Sequence, residues 1–487
     1  MSLARITSFA FRGIEAVAVD VQVQLSPGLP AFTLVGMADK AVAESRERVR
    51  AALVGLGLTL PPRRVAVNLA PADLVKEGSH YDLPIALALL AAMGVLSGED
   101  LEGYAALGEL ALDGAVLPVP GILPAALAAS ARDLGLICPA SQGREAAWAG
   151  RIEVLAAPSL IALLNHLRGR QLLSPPAPPA APRQAGVHPC LSDVVGQESA
   201  RRALEIAAAG GHNLLLVGPP GSGKTMLAER LPGLLPPLSA EQALEVSAIY
   251  SVAGLLRDGQ LLASPPFRAP HHSASQAALV GGGPRARPGE VSLAHHGVLF
   301  LDEWPEFPRP ALEALRQPME SGVACIARAG AHVTWPARFL CVAAMNPCRC
   351  GMLGSGQREC SRAPRCGEEY ESRLSGPLLD RMDMTVAVRP VTHAELLRAT
   401  PGEPSARVAE RVAAARAQAA DRRGTPVEAT LSAPARQLLE TAAGRLGLSS
   451  RALRRALGVA RSIADLAGST TVERAHVAEA LTYRRRS

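Results

Sequence analysis

The stretch NLLLVGPPGSGKTMLAER, residues 213–230, constrains this chain more than any other. An apolar run, Leu214 to Val217, leads into Gly218-Pro219-Pro220-Gly221-Ser222-Gly223-Lys224-Thr225, and an amphipathic helical pattern follows. This is a full G-x-x-x-x-G-K-[ST] signature in its strand–loop–helix setting, which demands an α/β domain. Glycines let backbone N–H groups turn toward phosphates, and the helix start adds positive potential. Lys224 is then expected to reach the β- and γ-phosphates of ATP, and the Thr225 hydroxyl to hold Mg2+. A chance glycine-rich turn is the alternative, and the correct spacing and context argue against it.

Lysine usage sharpens the point. Lys plus Arg total 50, yet lysine occurs only at Lys40, Lys76 and Lys224. A lysine retained in so arginine-rich a chain is a candidate for a role that needs a compact ammonium.

Two later strands complete a triphosphate site. GVLFLDE is an apolar run ending in Asp302 and Glu303. Beside a P-loop, Asp302 is expected to hold Mg2+ through water and Glu303 to activate the attacking water. FLCVAAMN ends at Asn346, a candidate for positioning that water. Taken singly, each is also compatible with an ordinary polar strand end.

With 487 residues and 48% apolar composition, the chain has room for two or three domains with sizeable cores. Aromatics are only 3%, so Ala, Leu and Val must build those cores. MSLARITSFAFRG does not read as a signal peptide. The longest apolar run, Leu83 to Leu96, is shorter than the ~18 residues of a membrane span. The expectation is a soluble cytoplasmic protein without membrane association. A net charge of +6 is compatible with a polyanion partner without requiring one.

Residues 1–170 alternate strand-like and helix-like runs. LLSPPAPPAAPRQAG marks a semi-rigid linker, 171–187. A second α/β unit is expected over 188–390, and a helical, Ala/Arg/Leu-rich segment over 391–487.

The segments SDVVGQESARRALEIAAAGGHNLLLVGPPGSGKT, FRAPHHSASQAALVGGG, GVLFLDE, ALRQPMESG, AAMNPCRCG and SGPLLDRMD together resemble the YifB/ComM subfamily of magnesium chelatase-like AAA+ ATPases. The resemblance covers nearly the whole chain. It implies an AAA+ P-loop NTPase core with a helical C-terminal lid, working as a homo-oligomeric ring, a hexamer in that family. It implies an adenine-facing segment at DVVGQ, with Val195 and Gly196. It makes Arg381 of SGPLLDRMD the candidate arginine finger, with Arg373 in reserve and a surface pair to Asp380 or Asp383 as the alternative. It makes Arg451 the candidate sensor of the lid, although the arginines around it also describe a solvated helix face. Some 78 residues separate Lys224 from Asp302, room for the insertion that this branch of the family carries. GVACIARAGAHVTWPARF reads as a β-hairpin, and in related helicases such a hairpin meets nucleic acid in the pore. Arg328 and His332 are the candidate DNA contacts, or simply exposed side chains.

The first domain resembles the Lon-protease proteolytic domain in KEGSHYDLPIALALL and ALGELALDGAVLPVPGILPAALAA. That enzyme pairs a serine with a lysine. Here the serine position falls at His80, with Ser79 one residue early. The lysine position falls near Ala125, and Lys76 does not match the pairing. The reading is a Lon-like α/β fold without proteolysis.

NPCRCGMLGSGQRECSRAPRC, directly after the third strand, holds four of the eight cysteines. Cys348, Cys350, Cys360 and Cys366 in a polar, glycine-bearing loop suit a tetrahedral Zn2+ site. Reduced free thiols and a redox-sensitive disulfide remain open.

The resemblance implies a DNA motor, a branch-migration helicase in recombination and natural transformation. A magnesium chelatase-type motor for metal insertion and a non-proteolytic protein-remodelling ATPase are the alternatives.

Overall fold

The computed structural model describes residues 2–37, 39–177, 188–283, 286–328, 331–353, 360–397, 402–422, 426–446 and 448–484. Most of the expected linker therefore lies outside the described residues. Among the described residues no helix is long and apolar enough to cross a membrane.

The P-loop strand Leu214–Val217 lies inside a five-stranded sheet. The order is Phe267–Arg268, Val298–Leu301, Leu340–Met345, Leu214–Val217, Met384–Ala387, and every pairing is parallel. Leu340–Met345 is buried at every position. Such unbroken apolar runs are what a parallel sheet covered on both faces requires. On one face, Leu214, Leu216, Val342 and Ala344 meet Ala203, Leu204 and Ala207 of helix Glu198–Gly210 and Val459, Ala460 and Ile463 of helix Ser450–Leu466. On the other, Leu215, Leu299, Leu301 and Cys341 meet Trp304, Phe307, Trp335 and Tyr370. The C-terminal helices therefore share one continuous core with this sheet.

Parallel direction places the site. Val217 is level with Met345, and Leu301 with Ala343. The P-loop, Asp302 and Asn346 consequently emerge along one carboxyl edge, where α/β sheets bind ligands.

Residues up to 157 form a separate seven-stranded mixed sheet, ordered Ala31–Val35, Arg64–Ala70, Glu15–Ser26, Ser2–Arg12, Tyr104–Ala106, Gly135–Pro139, Val154–Ala157. Helix Asp82–Ala92 is almost wholly buried against it. Its Asp82 carboxylate is itself buried, and the Arg48 guanidinium donates to it at 2.5 and 3.0 Å.

Residues 248–261, between the P-loop and Asp302, serve as the seat for this first region. Leu123 packs with Ala248 and Leu261. The buried Glu145 carboxylate accepts from Ser251 Oγ at 2.5 Å and from the Leu123 N–H at 3.0 Å. Trp148 Nε1 donates to the Gly259 carbonyl at 2.8 Å.

The expected hairpin is present. Val323–Arg328 pairs antiparallel with Ala331–Pro336, and Arg328 is level with Ala331. Trp335 at its base is buried and donates to the Ala286 carbonyl at 3.0 Å. His332 is exposed; the Arg328 side chain lies outside the described residues.

Candidate active site

The P-loop backbone turns where only glycine fits. A Cβ on Gly218 would collide with the Val388 carbonyl, and Gly221 and Gly223 have φ of 74° and 91°. The loop then aims Lys224 inward. This side chain is 8% exposed. Its ammonium donates to the carbonyls of Gly218 at 2.8 Å and Pro219 at 2.9 Å, and to Asn346 Oδ1 at 3.2 Å. Those three acceptors match its three N–H donors. Burial pushes its pKa below the ordinary value, while Asp302 and Glu303 pull it back up.

Thr225 Oγ1 donates to Asp302 Oδ2 at 2.9 Å, and Asp302 Oδ1 accepts from the Glu303 N–H at 2.9 Å. A hydroxyl and a carboxylate side by side are hard oxygen donors of the kind Mg2+ takes. Glu303 has φ of 50°. A non-glycine residue in the left-handed region is uncommon and tends to persist at functional sites. The geometry thus brings Lys224, Thr225, Asp302, Glu303 and Asn346 into one cluster.

Sequence reasoning missed one member. His272 Nδ1 lies 3.0 Å from Glu303 Oε2. The paired histidines in FRAPHHSAS were the available signal, but nothing local ties them to a strand end 31 residues on.

Val195 and Gly196 line a cavity of about 890 Å3 next to the P-loop. Gln197 Nε2 donates to the Ser222 carbonyl at 3.4 Å and also to that of Arg389, which ties this segment to the loop.

Arg381 and Arg451 lie together, and their partners are not P-loop residues. Arg381 is 7% exposed. Its guanidinium donates to the carbonyls of Arg316 at 3.0 Å and Pro377 at 2.6 Å, and it pairs with Glu320. Arg451 Nη2 reaches the other Glu320 oxygen at 3.0 Å. The partner of Arg381 is therefore Glu320, not Asp380 or Asp383. Arg373 is half-exposed and pairs with Glu306 at 2.6 Å. Nor is the helix around Arg451 one solvated basic face: Arg461 is buried against Asp465 at 2.9 Å.

In the first region Ser79 Oγ donates to Glu109, and the buried Lys76 ammonium donates to the Pro71 carbonyl. Each is bonded elsewhere, so they form no serine–lysine pair. His80 Nε2 sits 2.8 Å from the Phe9 carbonyl, and burial lowers its pKa to about 4. Ala125 is buried among apolar side chains.

The four loop cysteines converge. Cys348 and Cys350 Sγ are 3.3 Å apart, Cys350 and Cys360 3.5 Å, Cys366 and Cys350 3.9 Å. Residues 354–359 between them lie outside the described residues. A second cluster joins Glu245, His295 and His296. It suits hydrogen bonding better than a cation. His295 Nδ1 accepts the Arg338 N–H at 2.9 Å, and His296 Nε2 is hydrogen-bonded to Glu245 Oε2 at 3.1 Å.

Comparison with known proteins addresses the family. The family described as magnesium chelatase, subunit ChlI, matches residues 190–396. Subunit ChlI of Mg-chelatase matches 21–142, and the ChlI C-terminal family matches 402–484. YifB of Escherichia coli K12 is 46% identical over 497 residues, covering 99% of this chain and 97% of that protein. The competence protein ComM of Haemophilus influenzae is 43% identical over 502 residues, covering 99% and 98%. The magnesium-chelatase 38 kDa subunit of Rhodobacter capsulatus is 28% identical over 323 residues, covering 60% of this chain and 85% of that one. The chain belongs to the YifB/ComM subfamily of magnesium chelatase-like AAA+ ATPases.

Proposed function

We propose that this protein is an ATP-hydrolysing ring motor that acts on DNA as a branch-migration helicase in recombination and natural transformation. The observation that carries the ATPase half is the cluster of Lys224, Thr225, Asp302, Glu303 and Asn346 at one sheet edge. Phosphate oxygens would replace the carbonyl and Asn346 acceptors now held by Lys224. Mg2+, once held by Thr225 and Asp302, would screen the phosphate charge. Glu303 takes the proton of the attacking water, His272 fixes the Glu303 carboxylate, and Asn346 orients the water. Arg381 acts on a neighbouring subunit's nucleotide in a ring, expected to be a hexamer, Arg451 contacts ATP from the lid, and Glu320 holds the two as a pair.

Three observations support the DNA half. A full-length relative is named a competence protein. The hairpin presents an exposed His332 at its tip end. The chain carries a net charge of +6. A magnesium chelatase-type motor is the second reading, favoured by the 38 kDa subunit, although that similarity covers 60% of the chain. A non-proteolytic remodelling role is the third, and the separately bonded Lys76 and Ser79 favour it over peptidase action.

The test is ATPase rate with and without forked and four-way-junction DNA, with Glu303→Gln as the blank. Stimulation by branched DNA is expected. A rate indifferent to DNA, with no DNA binding at low salt, would transfer the reading to the other two.

A further inference from the structure

The Cys348–Cys366 loop has very little apolar material to order it. Its core consists of Cys348, Cys360 and Cys366 with Leu353 packed alongside. Ordering a backbone costs conformational entropy, which so small a cluster cannot offset. A cross-link is needed, and the geometry distinguishes the kinds. A disulfide would bring two sulfurs to about 2.05 Å. The observed separations of 3.3, 3.5 and 3.9 Å instead approach the edges of a tetrahedron with metal–sulfur bonds of about 2.3 Å, which are about 3.8 Å long. The Leu353 N–H also donates to Cys348 Sγ at 3.4 Å, the kind of outer contact that orients a thiolate ligand.

The ligands come from separate elements. Cys348 and Cys350 follow the sheet strand that ends beside Asn346. Cys366 lies on helix Arg365–Glu371, whose Tyr370 is buried in the sheet's core. The loop also touches the nucleotide site. A Cβ on Gly351 would meet Pro220 Cδ and Cγ of the P-loop at 2.7 and 2.8 Å. One on Gly367 would meet the Pro347 carbonyl at 3.1 Å.

We propose that Cys348, Cys350, Cys360 and Cys366 bind one Zn2+ in a closed structural site, and that the ion fixes Asn346 and the Gly351–Pro220 contact, so that metal loading sets nucleotide affinity. Four soft thiolates with no open position select Zn2+ and leave it no catalytic part. The coupling half rests on the nucleotide reading above; the metal half does not.

The experiment uses the full chain, purified under reducing conditions without added metal. Elemental analysis is expected to give about one zinc per chain, as a single tetrahedral site requires. Protein produced with Co2+ should show thiolate-to-cobalt charge transfer and tetrahedral ligand-field bands. Cys350→Ser removes the one exposed ligand and should lose the metal, with fluorescent-ATP affinity weakened about tenfold. Gly351→Ala should keep the zinc yet weaken nucleotide binding severalfold. Reduced protein without metal, iron in place of zinc, or a Cys348–Cys350 disulfide would overturn the metal half. Unchanged affinity in both a zinc-free Cys350→Ser and Gly351→Ala would overturn the coupling. If the wild-type chain itself bound no nucleotide, the P-loop reading and the coupling would fall together while the zinc count stood.

Discussion

Two of the chain's three lysines are buried, and their surroundings differ sharply. Lys224 is held by two P-loop carbonyls and Asn346, with Asp302 and Glu303 near enough to raise its pKa. Lys76 is fully buried in the first region, and the partner of its ammonium is the Pro71 carbonyl. Burial lowers both pKa values. Burial and charge therefore do not identify a functional lysine. What does is the company: P-loop carbonyl acceptors that phosphate oxygens can replace, and the Asp302 and Glu303 carboxylates at the end of a strand in the same sheet.

The sharpest test of the contrast is Lys224→Ala. Turnover should fall about ten-thousand-fold, the scale of removing a cation from a transferring phosphoryl group. Steady-state ATPase assays with purified protein check it, and residual activity near wild type would erase the distinction. Glu303→Gln keeps size and most hydrogen bonding but cannot take a proton. Turnover should fall about a thousandfold with ATP binding retained; equal losses in binding and turnover would remove Glu303 from the proton step.

Acid stability compares the same two regions. His80 in the first and His295 in the second both have pKa values lowered to about 4, from 6.5, chiefly by burial. Between those limits the unfolded chain binds protons that the folded chain refuses. Stability therefore rises with pH across the window and is lost as pH falls through it. Each full shift is worth about 3 kcal/mol. Denaturant midpoints measured from pH 7 to 4 should show a flatter slope for His80→Gln and for His295→Gln than for wild type. An unaltered slope in either would deny that histidine its part.

The core of the candidate nucleotide site was legible because it is local. A strand, a glycine turn and a lysine lie within eighteen residues, and the parallel sheet supplies the rest by aligning strand ends. The hairpin was legible for the same reason. His272 and Glu320 were not, because their partners lie 31 and 61 residues away and only the fold brings them together. The alternation of buried faces also hid the C-terminal helices' place. Their amphipathic pattern revealed helices but not that they share the P-loop sheet's core. His272→Ala addresses what was missed. Turnover should drop about tenfold, a 1.4 kcal/mol loss of positioning, with the KM for ATP unchanged. A role confined to folding would move KM and thermal stability instead.

The smallest expected effect lies on the other side of the comparison. Lys76→Met removes a buried ammonium and substitutes an apolar chain of similar reach. Losing the charge relieves desolvation, while the Pro71 carbonyl loses its donor, at about 1–3 kcal/mol. Exchanging buried charge for well-packed apolar groups is commonly neutral or favourable by about 1–4 kcal/mol. The two nearly cancel, so stability at pH 7 should change by no more than about 1 kcal/mol, and ATPase activity should not change. The pH dependence gives a signed check. Lys76 has a folded pKa below its ordinary 10.5. As pH rises through that interval the folded chain has released a proton that the unfolded chain still holds, so wild-type stability climbs. In Lys76→Met this climb should be reduced. If Lys76→Met instead silenced ATP turnover as Lys224→Ala does, the first region would be wired to the nucleotide site, and the contrast between the two buried lysines would fail.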